Sequence, residues 1–203
     1  RIAVYCPYLL DLKLTIETKN SFPHSSGIAS SASAYSALSL CVMDIEKKIN
    51  SKISSEYFFN KASFLSRLGS GSASRSVFGP LAIWGENDFF KKSSNFYAVK
   101  YEEKLHDNFK NFQDTVLLVD KGEKHISSTV GHSLMNDHSF SDDRLVQAHK
   151  NLTLLNDSLI SGDLDTFVSV VETEALTLHA MMMTSSPYYI LIKPNALEII
   201  NEI

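Results

Sequence analysis

Two loops rich in glycine and serine hold the residues best suited to chemistry. The first runs Pro23-His24-Ser25-Ser26-Gly27-Ile28-Ala29-Ser30-Ser31-Ala32. Small side chains let a phosphate come close to the backbone. The start of a following helix supplies unpaired N–H groups and the positive end of its dipole. Ser30 and Ser31 add hydroxyl donors. No Gly-Lys-Ser/Thr closes the loop, so it is not of the Walker type. The second loop, Gly69-Ser70-Gly71-Ser72-Ala73-Ser74-Arg75, repeats the pattern and adds a guanidinium that can grip a carboxylate or phosphate through two parallel hydrogen bonds. Taken singly, the first loop also reads as a serine-capped helix start, and Arg75 as half of a structural ion pair. Together the two loops suggest a pocket for a polyphosphate.

A third cluster, Lys121, Lys124, His125, Ser127, Ser128, Thr129 and Gly131, follows an apolar run at 116–119. Ligand-binding residues gather on such loops, although alone the cluster also reads as a solvated basic turn. The seven histidines form no ligand set. His125, His132 and His138 lack the paired spacing and carboxylate of a zinc-protease helix, and no metal site is expected. His179 reads as a packed or capped side chain, and 181–183 (Met-Met-Met) as core filling. Spacing supports no Ser-His-Asp hydrolase order.

These loops need elements to hold them. Leu12, Leu14 and Ile16 alternate with polar residues, the period of a half-buried strand leading to the first loop. Behind that loop, Ala34, Ala37, Leu38, Cys41 and Ile45 fall at helical spacing, and further apolar residues predict a helix buried on most sides. A second helix is expected after Ser54-Ser55, with Phe58, Ala62 and Leu65 on one face and an end near Gly69. Residues 81–84, 95–100 and 115–119 read as strands. Further on, Leu145, Ala148, Leu152, Leu155 and Leu159 form one helical stripe. Leu164, Phe167, Val168, Val171, Ala175 and Leu178 form another. Ser161-Gly162-Asp163 separates them, with Asp163 a good N-cap, so a helical hairpin is expected.

Composition sets the outer bounds. The chain has 203 residues, 44% of them apolar and 21% charged, which excludes an intrinsically disordered protein. Its 19 lysines and arginines against 23 aspartates and glutamates give a net charge of −4, which argues against a nucleic-acid partner. Cys6 and Cys41 are too few for a disulfide scaffold and fit a reducing compartment such as the cytoplasm. No apolar run has the ~18–20 residues of a membrane span, so no membrane partner is expected. The chain opens on Arg1 and an apolar segment and closes within a helical pattern, as part of a longer protein would. The charged stretch 102–112 marks a domain transition, with domains expected at 1–108 and 109–203.

The motif Pro23-x-x-x-Gly27-Ile28-Ala29-Ser30-Ser31-Ala32 resembles the phosphate motif of the GHMP kinase superfamily. With Asn20-Ser21-Phe22 before it, it is similar to the diphosphomevalonate decarboxylase family within that superfamily. That family's second signature, R-x-G-S-G-S-A-x-R-S, is matched from Arg67 to Ser76. The segment from Lys124 to Gly131 is similar to its third, K-x-x-S-S-T-x-G-M, with His132 in place of the methionine. The resemblance implies an α+β, GHMP kinase fold: an incomplete N-terminal nucleotide-binding domain followed by a C-terminal α/β sandwich-type domain.

It also implies a reaction. With ATP and Mg2+, the 3-hydroxyl of 5-diphosphomevalonate is phosphorylated. Phosphate then leaves with CO2, giving isopentenyl diphosphate in the mevalonate pathway. Gly27, Ala29, Ser30 and Ser31 would cradle the ATP phosphates. Ser70, Ser72, Ser127, Ser128 and Thr129 would bind substrate, and Arg75 would serve binding and catalysis. A homodimer is the implied assembly. The family's N-terminal lysine-bearing segment and its D-A-G-x-N aspartate segment are not found here, so the chain alone is expected to be inactive. A related GHMP kinase, a monophosphate decarboxylase and a non-catalytic phosphate-binding fragment are the alternatives.

Overall fold

The computed structural model describes residues 1–22, 28–119, 135 and 137–202. The chain divides into two compact units, Arg1–Glu102 and Glu103–Ile203.

The first unit is built on two helices, α1 (Ser30–Ile49) and α2 (Ser55–Gly69). The Ser54 hydroxyl accepts from the Tyr57 N–H at 3.1 Å and fixes where α2 begins, as its sequence predicts. Val42 and Met43 of α1 pack with Ala62 and Leu65 of α2, and with Cys6 and Val77, to form the core. The buried face of α1 differs from the expected one. It consists of Ala32, Ser36, Ser39, Val42 and Met43, while Ala37 and Cys41 are exposed. Serines can occupy that face because their hydroxyls find local partners: Ser36 Oγ donates to the Ser33 carbonyl at 3.0 Å.

At the end of α1 far from the first loop, a polar knot joins the helices. Glu46 accepts from Lys61 Nζ at 2.7 and 2.9 Å, from the Tyr57 hydroxyl at 3.0 Å and from the Tyr8 hydroxyl at 3.1 Å. Burial alone would raise the Glu46 pKa, but these donors and the Lys61 charge outweigh it and hold the carboxyl below its ordinary value. Burial likewise opposes the Lys61 charge, and Glu46 and Tyr57 reverse the effect, so the lysine is raised. Burial first, then Cys6 and Glu46, push the Tyr8 phenol far up.

After α2 comes a 3-10 helix, Gly71–Val77, and then a short antiparallel pair, β1 (Ala82–Ile83) with β2 (Val99–Lys100). Ala82 lies opposite Lys100 and Ile83 opposite Val99. The two expected strands at 12–17 and 115–119 are not strands: both stretches lack ladder partners among the described residues, and Leu14, Ile16, Val116 and Leu117 are exposed. A lone extended segment gains nothing from its alternating pattern without a neighbour to pair with.

The second unit contains α3 (Ser141–Ser161), α4 (Leu164–Thr184) and α5 (Pro194–Glu202). Asp163 caps α4, its carboxylate accepting from the Thr166 N–H at 3.0 Å. The helical hairpin is therefore present, but polar side chains tie it together. Arg144 pairs with Glu174, Asn151 Nδ2 donates to Glu174 Oε1 at 2.8 Å, and Gln147 Nε2 reaches Thr177 Oγ1 at 3.4 Å. Of the expected stripes, Leu145, Val168, Val171 and Leu178 are exposed.

Residues 103–108, placed with the first half on composition, go with the second unit. The His106 N–H donates to the Leu159 carbonyl at 2.9 Å, and Asn108 Nδ2 donates to the Gly162 carbonyl at 2.8 Å. Gly162 is needed there: its φ is +86° and an added Cβ would stand 2.3 Å from His106 Nδ1. Among the described residues no helix is long and apolar enough to cross a membrane.

Candidate active site

Gly27, Ser127, Ser128 and Thr129 lie outside the described residues, as does the Lys121–Gly131 cluster. Ala29, Ser30, Ser31, Ser70, Ser72 and Arg75 are described, and the fold brings several of them together.

The first loop feeds α1 through Ala29, whose φ of 56° and ψ of 44° are left-handed. That conformation costs a non-glycine residue ~1–2 kcal/mol. Among the described residues no side chain caps the helix, in contrast to α2 and α4. A helix start of this kind presents its first backbone N–H groups and the positive end of its dipole to an anion.

The second loop meets this helix start directly. Ser31 Oγ and Ser70 Oγ are 3.4 Å apart, and Ser70 Oγ and Ser72 Oγ are 3.5 Å apart. These spacings exceed the ~2.7 Å of a strong O–H···O bond. The three hydroxyls are therefore close enough to share one ligand yet not locked to each other. Arg75 is exposed and, among the described residues, forms no ion pair, so its guanidinium is not spent on a structural carboxylate.

Buried groups anchor the second loop. Ser63 Oγ donates to the Ser74 carbonyl at 2.8 Å and accepts from the Ala98 N–H at 2.8 Å. Ser74 Oγ donates to the Gly71 carbonyl at 2.8 Å. Arg67 Nε donates to the Phe96 carbonyl at 2.8 Å, so the first arginine of the signature braces the loop against the β1–β2 hairpin. Ser63 had no local signal in the sequence, because its two partners are 11 and 35 residues away.

Residues 5–96, almost all of the first unit, match the family model described as the diphosphomevalonate decarboxylase-like N-terminal domain. Residues 5–96 are thus similar to the N-terminal domain of the diphosphomevalonate decarboxylase-like family. Diphosphomevalonate decarboxylase of Saccharomyces cerevisiae is 27% identical over 183 residues, covering 89% of this chain and 44% of that protein. The crystal structure of a mevalonate diphosphate decarboxylase from Legionella pneumophila has 29% identity and a TM-score of 0.70, over 91% of this chain and 54% of that one. A structure of MDDEF in complex with MVAPP, AMPPCP and magnesium has 24% identity and a TM-score of 0.64, over 89% of this chain and 52% of that one. The fold is thus the GHMP kinase fold of the decarboxylases. The chain spans about half the length of the curated relatives it matches.

No group of three His, Cys, Asp or Glu side chains among the described residues could hold a metal ion. His179 behaves as a packed residue. It is half-buried, its Nδ1 has no hydrogen-bond partner among the described residues, and burial lowers its pKa.

Proposed function

We propose that this chain forms the phosphate-binding part of an enzyme that decarboxylates 5-diphosphomevalonate at the expense of ATP. The approach of Ser31 and Ser70 to 3.4 Å carries the reading. It joins a loop suited to nucleotide phosphates to one suited to a second anionic substrate, as transfer of a phosphoryl group between two bound molecules requires. The family match and the complex of a related protein with MVAPP and AMPPCP support the same pairing of ligands.

In this reading Gly27, Ala29, Ser30 and Ser31 hold the ATP phosphates through backbone N–H groups and hydroxyls. Ser70 and Ser72 donate to the substrate's diphosphate region, and Ser127, Ser128 and Thr129 complete the anion pocket. Arg75 grips the substrate's carboxylate or diphosphate. Phosphoryl transfer asks little covalent chemistry of the protein: orientation and neutralisation of charge lower the barrier. Magnesium would enter with the nucleotide, on its phosphates, and would supply neutralisation of their charge. Residues 1–102 serve as the nucleotide-binding domain and 103–203 as part of the C-terminal domain, in a cytoplasmic homodimer.

The test is a substrate panel. The full polypeptide to which this chain belongs is given ATP with mevalonate, its 5-phosphate or its 5-diphosphate, and CO2 and ADP are both followed. CO2 release with the 5-diphosphate supports the proposal. Release confined to the 5-phosphate, or ADP without CO2, overturns it.

A further inference from the structure

The two glycines of the second loop each lie against an aromatic ring. An added Cβ at Gly69 would stand 2.3, 2.5 and 2.6 Å from Tyr35 Cδ1, Cγ and Cε1. At Gly71 it would stand 3.2 Å from Trp84 Cη2. Normal carbon–carbon contact is ~3.5–4.0 Å, so the first clash demands a movement of ~1 Å. The clash involves the root of the ring, which cannot move aside without turning about χ1. Gly69 needs no left-handed backbone, so its requirement is for space.

The positions of these rings matter. Tyr35 follows Ser31 by four residues on α1, so the two share a face of that helix. Gly69 directly precedes Ser70. The Tyr35–Gly69 contact and the Ser31–Ser70 approach are therefore neighbouring rungs between α1 and the end of α2. On the other side, Trp84 Nε1 donates to the Asn95 carbonyl at 3.2 Å, which fixes its ring within the hairpin.

We propose that Tyr35 is a positioning residue for the second loop: its ring, seated on the bare Cα of Gly69, sets the separation of the two helices that places Ser70 beside Ser31. Trp84 on Gly71 is the weaker brace. The role rests on the reading of Ser70 as an anion-binding group under Proposed function. The ring acts rather than the hydroxyl, and it acts through Ser70 rather than by touching substrate.

The test is a size exchange in the full polypeptide, read by calorimetric binding of inorganic pyrophosphate and by KM and kcat for diphosphomevalonate. Gly69→Ala is expected to weaken pyrophosphate binding and raise the substrate KM by ~10–100-fold, the usual penalty for a displacement of about 1 Å. Gly71→Ala has a smaller effect in the same direction. Tyr35→Phe stays within about twofold of the parent, because the ring is kept. Tyr35→Ala alone weakens pyrophosphate binding because the spacer is lost, and combined with Gly69→Ala it opens room for the new Cβ and recovers part of the Gly69→Ala loss. Should Gly69→Ala fail to fold, the double variant must restore both folding and pyrophosphate binding. Unchanged binding in Gly69→Ala, or a double variant no better than the worse single one, overturns the proposal. Pyrophosphate binding is independent of turnover, so a wrong assignment of the reaction shows as absent CO2 release by the parent while the size exchange still gives its own answer.

Discussion

Ser31 and Ser70 place their hydroxyl oxygens 3.4 Å apart although 39 residues separate them. Each sits at an end of a helix: Ser31 in the first turn of α1, Ser70 just past the last turn of α2. The core beneath them, Met43 against Ala62 and Leu65, fixes the two helices side by side. In the proposed reading, a pair of hydroxyls held so forms one anion-binding surface from two distant motifs.

Removing either hydroxyl should therefore weaken anions at both loops. Ser31→Ala and Ser70→Ala are each expected to lower affinity for an ATP analogue and for diphosphomevalonate. The double variant should lose less than the two losses combined, with a coupling of ~0.5–3 kcal/mol. Calorimetric titration of the four proteins measures it, and strict additivity would separate the two loops.

Arg75 offers the cleanest division between stability and function. It is exposed and without an ion pair among the described residues, so Arg75→Ala should change unfolding free energy by no more than ~0.5 kcal/mol. Turnover should nevertheless fall by ~10²–10³-fold, as when a charge-stabilising donor is lost. Arg75→Lys should recover only part, because an ammonium lacks the planar fork. Parallel urea melts and steady-state assays decide it.

Ser63 should show the opposite behaviour. Its fully buried hydroxyl serves the Ser74 carbonyl and the Ala98 N–H together, so Ser63→Ala leaves both without that partner. The expected loss is ~1–3 kcal/mol of stability, seen as a lower urea midpoint at unchanged slope.

The Glu46 knot gives a prediction with a sign. A carboxyl held below its ordinary value of 4.5 adds stability that is present above that pH and lost as pH falls through the folded value. The raised Lys61 acts in the other direction: its contribution holds below 10.5 and is lost as pH climbs through its higher folded value. The urea midpoint should thus drop on acidification below 4.5, and Glu46→Gln should flatten that drop.

Local signals are legible in the sequence and distant ones are not. The Ser54-Ser55 pair lies at the start of α2, and Asp163 after Gly162 marks that of α4, because a cap acts within one turn. The two signature loops stood out by their small residues, and the structure places Ser31, Ser70 and Ser72 together. The buried face of α1 differs from its apolar stripe because it includes Ser36 and Ser39, and a serine can satisfy its hydroxyl on its own helix, as Ser36 does. The α3–α4 seam is hidden likewise, since Asn151 and Glu174 look polar and are accommodated there by bonding to each other and to Arg144. The strand at 12–17 needed a partner strand, which its own alternation cannot supply. Tyr35 gave no sign at all. Its role depends on a glycine 34 positions further along.

The most direct test of the central claim is the stoichiometry of the reaction in the full polypeptide. With ATP and 5-diphosphomevalonate, the account predicts one CO2, one ADP and one inorganic phosphate for each isopentenyl diphosphate formed, with all four products lost in step in Ser70→Ala. ADP appearing without CO2, or CO2 release that is indifferent to Ser70, would contradict it.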